Sequence, residues 1–266
     1  MKPLHILMLT MFIDLAGFAM FIPLLNYIVA ELGGSILTVG LLITAFSLAQ
    51  FACLPAWGRL SDRIGRRPVI MLGLGGAAVA YAVFGLADPA LGLSDDRRLL
   101  LGVLFLSRIM LGVMSANYAA AYAYIADVTP PEERAQGMGM LGVAFGLGFV
   151  CGPVLGGLLG QWGFWLPAFF GSGLALLNLY CAWRWLPESL PSGHVVRPRV
   201  SPGEALRETL AYLRQPRLGL LLVIFTLYLL AFSIIFGTFV EFSKERIGLP
   251  VRLSGVLFAY MGGVSI

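Results

Sequence analysis

Two ionisable side chains stand inside long apolar runs: Asp14 in HILMLTMFIDLAGFAMFIPLL and Arg108 in LLLGVLFLSRIMLGVM. A charge near the middle of a bilayer costs at least ~2.5 kcal/mol, so such residues face a partner or a cavity. Asp14 follows Ile6 by eight positions, about 12 Å into a hydrocarbon core of about 30 Å. Arg108 lies nine positions after Leu99 on a run descending from the other side, about 16 Å from the same face. Their similar depth predicts a pair. Burial opposes the carboxylate's charge and a guanidinium favours it, and a group balanced that way can exchange a proton when a cavity opens. A permanent ion pair tying two spans together is the static reading, although such pairs are often no more stable than apolar substitutes.

The run GMLGVAFGLGFVCGPVLGGLLG holds Gly139, Gly148, Gly152, Gly156, Gly157 and Gly160, with Pro153 among them. Glycines four apart bare one helix face, so that another backbone can approach closely, and proline removes one helix hydrogen bond. Static packing would use the same pattern; a surface that opens and reseals would use it with the Gly-Pro step. Gln50, Asn117, Tyr118, Tyr122 and Asn178 are softer polar positions. Each either lines a pathway or satisfies a neighbouring helix.

Five charges crowd the stretch GRLSDRIGRRPV (58–69): Arg59, Asp62, Arg63, Arg66 and Arg67. In a chain with 12% charged residues this is a connector with work to do or a solvated turn. The later stretch DVTPPEER (127–134) carries Asp127 at the same membrane face, which makes an Arg66–Asp127 clasp geometrically reasonable. Thr129 with Glu132 three residues on has the spacing of a capping box for the next helix.

These residues need elements to hold them, and the composition names those elements. The chain is 59% hydrophobic with a mean hydropathy of +0.87. That excludes an ordinary soluble domain. Spans of about 20 apolar residues cross a bilayer. Seven segments have that length, at approximately 6–29, 36–57, 68–87, 99–126, 136–160, 164–186 and 217–240. An eighth opens near 252 and reaches Ile266 well short of a full span, so a C-terminal bundle is expected to be missing. The apolar stretch that follows Lys2 is too long for a cleaved signal, contains Asp14 and lacks a small-residue cleavage site, so it is read as retained.

Residues 1–186 then form a six-helix bundle, 187–216 a cytoplasmic linker, and 217–266 the start of a second bundle. Within the linker, Ser201-Pro202 opens a short amphipathic pattern that suits a surface or linker helix. With the N-terminus inside, twelve Lys and Arg lie on the cytoplasmic side against five outside, which sets that orientation. The net charge of +4 sits in short connectors and gives no stripe for nucleic acid. Cys53, Cys151 and Cys181 lie in apolar runs without ligand spacing, and His5 and His194 flank no carboxylate cluster. Neither a disulfide framework nor a metal site is expected. No convergent nucleophile and base appear, so an intramembrane enzyme is not the reading.

Together these elements resemble the major facilitator superfamily, and within it the twelve-helix drug:proton antiporters, the group that includes tetracycline exporters. The resemblance implies an all-α membrane protein with a six-helix bundle and the beginning of a second. It rests on Gly58, Leu60, Asp62, Arg63, Gly65, Arg66 and Arg67, similar to the signature between the second and third helices. Arg108 and Gly112 resemble the motif of the fourth helix, although Leu111 stands where Gln is often found. Gly139, Gly148, Gly152, Pro153, Gly156 and Gly157 resemble the antiporter pattern of the fifth. The resemblance implies a latch made by the charged stretch, its Asp62 reaching the second bundle and an Arg reaching the acidic end of the fourth helix. It further implies proton coupling through Asp14 and Arg108; Gln50 and Asn117 are pathway candidates from their polarity alone. In the third span Ala80 and Tyr81 stand where tetracycline exporters carry an acid. The expected activity is export of small amphipathic compounds across a bacterial inner membrane, driven by the proton gradient without a cofactor. A symporter or facilitator for sugars or organic anions, with Arg108 binding the anion, is the rival; a receptor or structural bundle would show no flux.

Overall fold

A computed structural model of the chain describes residues 3–190 and 215–248 together with the isolated positions 207, 211, 253, 256, 257 and 260. The expected helix beginning at 201 and the eighth segment after 252 lie outside the described residues, those isolated positions apart. Among the described residues the regular elements are helices only. Six of them are long and apolar enough to cross a membrane.

The first expected span is two helices, α1 (Pro3–Met20) and α2 (Ile22–Glu31), broken at Phe21. Pro23 falls in the first turn of α2, where a missing N–H costs nothing, and it cannot supply the bond that would continue α1. The second span, α3 (Ile36–Ile64), opens on a capping box between Ser35 and Thr38 and does not stop at 57. It continues through Asp62 and Arg63, so most of the charged stretch is helix. Gly65 makes the turn at φ +104°, a conformation that a residue with a Cβ rarely adopts, and α4 (Arg66–Gly85) begins at once.

The fourth span also divides, into α5 (Arg97–Ser115) and α6 (Tyr118–Val128), with Ala116 and Asn117 at the break. Then come α7 (Arg134–Leu159), unbroken through Pro153, and α8 (Trp165–Trp185). The capping box expected at Thr129 is not formed. A 3-10 turn at Pro131–Glu133 intervenes and α7 starts beyond it without a side-chain cap. A ninth helix, α9 (Pro216–Ile247), carries the expected seventh segment, its apolar stretch running Leu218–Ala231, and meets α2.

Packing is ordered around α1, which lies most extensively on α7 and then on α8; α4 lies on α8 and α5, and α3 lies on α5. The α1–α7 contact is built from absent side chains. A Cβ on Gly148 would stand 2.8 Å from Leu15 Cβ, and one on Gly152 would stand 2.6 Å from the Ala16 carbonyl; at Gly156 it would collide with the Met20 carbonyl. Gly157 is buried as well. Gly139 departs from the expected row, since nothing approaches it within 4 Å. It precedes Gly148 by nine residues, two and a half turns, which turns it to the opposite face.

Two further ties fix the bundle. Asp88, 2% exposed, accepts from Trp165 N at 2.7 Å and Ala90 N at 2.8 Å, joining the end of α4 to the start of α8. Asn178 of α8 donates to the Thr10 carbonyl of α1 at 2.9 Å, which makes it a packing residue.

Overpacking the glycine face should separate α1 from α7. Gly152→Val is expected to lower unfolding stability by about 2–3 kcal/mol in SDS titration. Gly139→Ala should change it by no more than about 0.5 kcal/mol. Equal effects at the two positions would contradict the packing.

Candidate functional site

Asp14 projects from α1 where the glycine face of α7 brings the two helices together. It is 6% exposed and faces the Tyr118 hydroxyl of α6. In front of them lies an open cleft with about 350 Å³ of space, lined by Met11, Leu15, Tyr118, Tyr122, Leu141 and Phe145. The cleft is largely apolar, with two tyrosines contributing its polar groups.

The expected Asp14–Arg108 pair is not formed: no ion pair joins them among the described residues. Arg108 is 3% exposed and lies over two aromatic rings, 5.2 Å from the Phe21 centroid and 4.8 Å from that of Phe84. Its Nε and Nη2 find no hydrogen-bond partner there. The cation–π contact offsets part of the cost of burial. Similar depth was the wrong criterion, because Phe21 follows Asp14 by seven residues, about 10 Å along the span. Tyr81 stacks on Phe21 at 4.9 Å and comes against Gly17, so an aromatic layer separates the two charges.

The other expected pathway residues divide. Gln50 is half-buried on α3 and does not line this cleft. Asn117 is 1% exposed, packs on Gly73 and donates weakly to the Ile70 carbonyl at 3.5 Å, which assigns it to the α4 contact. Gly112 lets α5 approach the Phe46 carbonyl and Ala49 of α3. Its role is packing.

At the other end of the bundle the charged stretch is organised around Arg66, whose side chain is 8% exposed. Its Nη1 donates to Asp62 Oδ1 at 2.5 Å and Ser61 Oγ at 2.6 Å, and its Nε to Asp127 Oδ2 at 3.1 Å. The Arg66–Asp127 clasp is thus present. Gly58 participates through its carbonyl, which accepts from Ser61 Oγ at 2.8 Å. Arg63 points outward and stays exposed, and Arg67 donates to the Trp183 carbonyl.

Sequence reasoning missed Glu188. Its two carboxylate oxygens accept from the free amides that open α4, Arg66 N at 2.9 Å and Arg67 N at 3.2 Å. Helix N-termini leave such amides unpaired and favour negative charge. A Cβ on Gly65 would strike this carboxylate, so the turn needs glycine on two counts. Ser189 Oγ donates to Asp127 Oδ2 at 3.2 Å, and Tyr124 donates to the Pro187 carbonyl at 3.1 Å. The segment after α8 is therefore bound into the same cluster. The available signal was the pair Glu188-Ser189 directly after an apolar span, but nothing in the spacing names its partner.

Comparison with known proteins gives a consistent picture. The family model of the Major Facilitator Superfamily matches residues 7–266. The class E tetracycline resistance protein of Escherichia coli is 33% identical over 257 residues, covering 94% of this chain and 60% of that protein. Multidrug resistance protein 2 of Bacillus subtilis (strain 168) is 34% identical over 188 residues, 70% of this chain and 44% of that one. The crystal structure of the human organic anion transporter MFSD10 superposes with a TM-score of 0.72 at 27% identity, covering 97% of this chain and 68% of that chain. The chain thus spans about 60% of the length of the tetracycline-resistance relative.

Glu188→Gln retains one acceptor oxygen and turns an amide donor toward a second donor. Hydrogen exchange at the Arg66 and Arg67 amides is expected to accelerate about tenfold, the loss of about 1.4 kcal/mol of local protection. Unchanged exchange at both amides would show that the cap contributes nothing.

Proposed function

The chain belongs to the major facilitator superfamily, and we propose that it acts as a proton-coupled exporter of small amphipathic compounds by alternating access. Its membership makes it a multi-pass membrane transporter, not an enzyme, working in a lipid bilayer on a small-molecule substrate. Proton coupling, export and the latch are the proposal. The observation that carries it is a buried carboxylate, Asp14, held by a tyrosine hydroxyl at an apolar cleft, with no cation paired to it among the described residues. A tetracycline resistance protein and a multidrug resistance protein among its relatives support the direction.

In this mechanism a proton arriving from outside neutralises Asp14. The Tyr118 contact loses its charge assistance, the cleft loses its negative end, and a bound compound is released. On the inner side the proton leaves and the carboxylate is restored. The Arg66 cluster with Asp62, Asp127 and Glu188 acts as the latch of one access state. We place the first bundle at 1–186, the connecting segment at 187–216 on the cytoplasmic side, and the start of the second bundle at 217–266. The N-terminus is then cytoplasmic, the membrane a bacterial inner membrane, and nucleic acid is no partner; the excess of Lys and Arg on that side supports the orientation.

The likeness to MFSD10 favours a second reading, an organic-anion carrier in which Arg108 meets the cargo. Against it stands the position of Arg108, which lies over Phe21 and Phe84 and does not line the cleft.

Asp14→Asn is expected to reduce pH-gradient-driven drug flux in membrane vesicles to background while the protein remains at its normal level in the membrane. Tyr118→Phe should retain flux at a reduced rate. Undiminished coupled flux in Asp14→Asn would sink the proposal, and flux of an organic anion lost in Arg108→Gln would favour the second reading.

A further inference from the structure

The outward side of the α4–α8 seam carries charge that the Arg66 cluster does not use. The two helices run antiparallel: a Cβ on Gly75 would rest 3.6 Å from Leu179, and Ser172 Oγ donates to the Ala78 carbonyl at 2.8 Å. At the end where α4 begins and α8 stops, Arg67 donates through Nη2 to the Trp183 carbonyl. Its Nε finds no acceptor, and it joins no ion pair among the described residues. Arg184 follows Trp183 directly, is exposed, and is likewise unpaired among the described residues. Glu188, the acid at this corner, is turned to four backbone amides, those of Arg66, Arg67, Ser189 and Leu190, rather than to either guanidinium.

Three aromatic rings stand at the same end of α8. The Tyr180 ring lies 6.1 Å from that of Trp183 and 6.3 Å from that of Trp185, and all three residues are more than half exposed. Farther along the seam the outward residues are aliphatic: Leu72 and Val79 of α4 and Leu176 of α8 are each 53% exposed. The seam thus presents two unpaired cations, then an aromatic cluster, then an aliphatic strip. In a bilayer that order follows a phospholipid from phosphate to chain, because Trp and Tyr favour the headgroup boundary and basic residues favour anionic lipid. The guanidinium fork is also matched to phosphate oxygens.

We infer that this corner is a binding site for an anionic phospholipid. Its phosphodiester is held between Arg67 and Arg184, and its chains lie along Leu72, Val79 and Leu176. A zwitterionic lipid offers the same phosphate but brings a cation of its own, which two arginines oppose. The site touches the charged cluster through one residue, since Arg67 shares the Glu188 cap with Arg66. The inference goes beyond the exporter reading and needs only that the chain lies in a membrane.

The test places the native-length protein in nanodiscs and compares brominated phosphatidylglycerol with brominated phosphatidylcholine of identical chains. Bromine quenches tryptophan on contact. Trp57→Phe, Trp162→Phe and Trp165→Phe together leave Trp183 and Trp185 as the reporters. Phosphatidylglycerol is expected to bind there about tenfold in preference to phosphatidylcholine. Arg67→Gln and Arg184→Gln should each lower that ratio about two- to fivefold, the range of one basic residue near an anionic surface, and together bring it to about one. Arg98→Gln removes the same charge at the opposite end of the bundle and should leave the ratio unchanged. Should the tryptophan background fail to fold by circular dichroism, native mass spectrometry counts the phosphatidylglycerol retained by the unaltered chain and by Arg184→Gln. The unaltered chain is expected to retain more.

Equal quenching by the two lipids would overturn the inference, as would equal retention by the unaltered chain and Arg184→Gln. A fall in Arg98→Gln as large as that in Arg184→Gln would report net charge alone and reject the site. Displacement of the lipid by water-soluble glycerol phosphate would make this a site for a free phosphate and overturn the lipid assignment.

Discussion

The approach of α7 to α1 across bare backbone is the constraint on which the rest of the bundle depends. In lipid no hydrophobic force draws helices together, so contact must come from close packing and hydrogen bonds. Gly148, Gly152 and Gly156 allow α7 to lie against Leu15, Ala16 and Met20 with no side chain intervening. Asp14 projects beside this seam, and Phe145 and Phe149 stand on the same length of α7. A cleft lined by both helices can exist there because the seam holds their separation constant. The same seam leaves the second half of the span free to break at Phe21, which turns that ring under Arg108.

Much of this was legible in the residues. Six of the seven expected apolar runs are spanning helices among the described residues, because length and composition alone decide what a bilayer accepts. The glycines at four-residue spacing reported a real contact, whereas Gly139 did not, and helical angle separates the two cases. Arg66 and Asp127 were foreseeable as partners since both stand at one membrane face on neighbouring spans. Depth counting failed for Asp14 and Arg108 for a specific reason. Counting from assumed span ends sets the two level, whereas Arg108 meets Phe21, about 10 Å farther along the span than Asp14, and two of the spans involved break, at Phe21 and at Ala116–Asn117. Glu188 and Asp88 were illegible because each satisfies backbone amides, which every residue except proline offers equally.

At the end of the bundle that carries the charged stretch, the structure joins what the sequence keeps far apart. Arg66 alone touches Asp62 on the preceding helix, Ser61, and Asp127 at the end of α6, while Glu188 from beyond α8 holds its backbone. A single buried or half-buried pair of this kind gains little beyond its own desolvation cost. Sharing one guanidinium among partners from several helices is different, because the side chain is ordered once and the contacts then act together. Under the latch reading this makes the cluster open as a unit, and the segment from Pro187 to Leu190 moves with it.

Under the exporter reading, the separation of Asp14 from Arg108 also bears on which way coupling runs. Had the two been paired, the carboxylate's charge would be balanced in every state, and a proton would have to displace an arginine. Facing the Tyr118 hydroxyl and no cation among the described residues, it would take a positive partner that comes and goes. A proton and a cationic cargo are then competitors for one charge, and by linkage each weakens the other's binding by the same factor. Competition of that kind yields exchange, with the proton entering as the cargo leaves. An anionic cargo at the same cleft would reverse the sign, since protonation would favour its binding and the two would travel together. On this reading the direction of coupling follows from the charge of the cargo and from the aromatic layer of Phe21 and Tyr81 that keeps Arg108 out of the cleft.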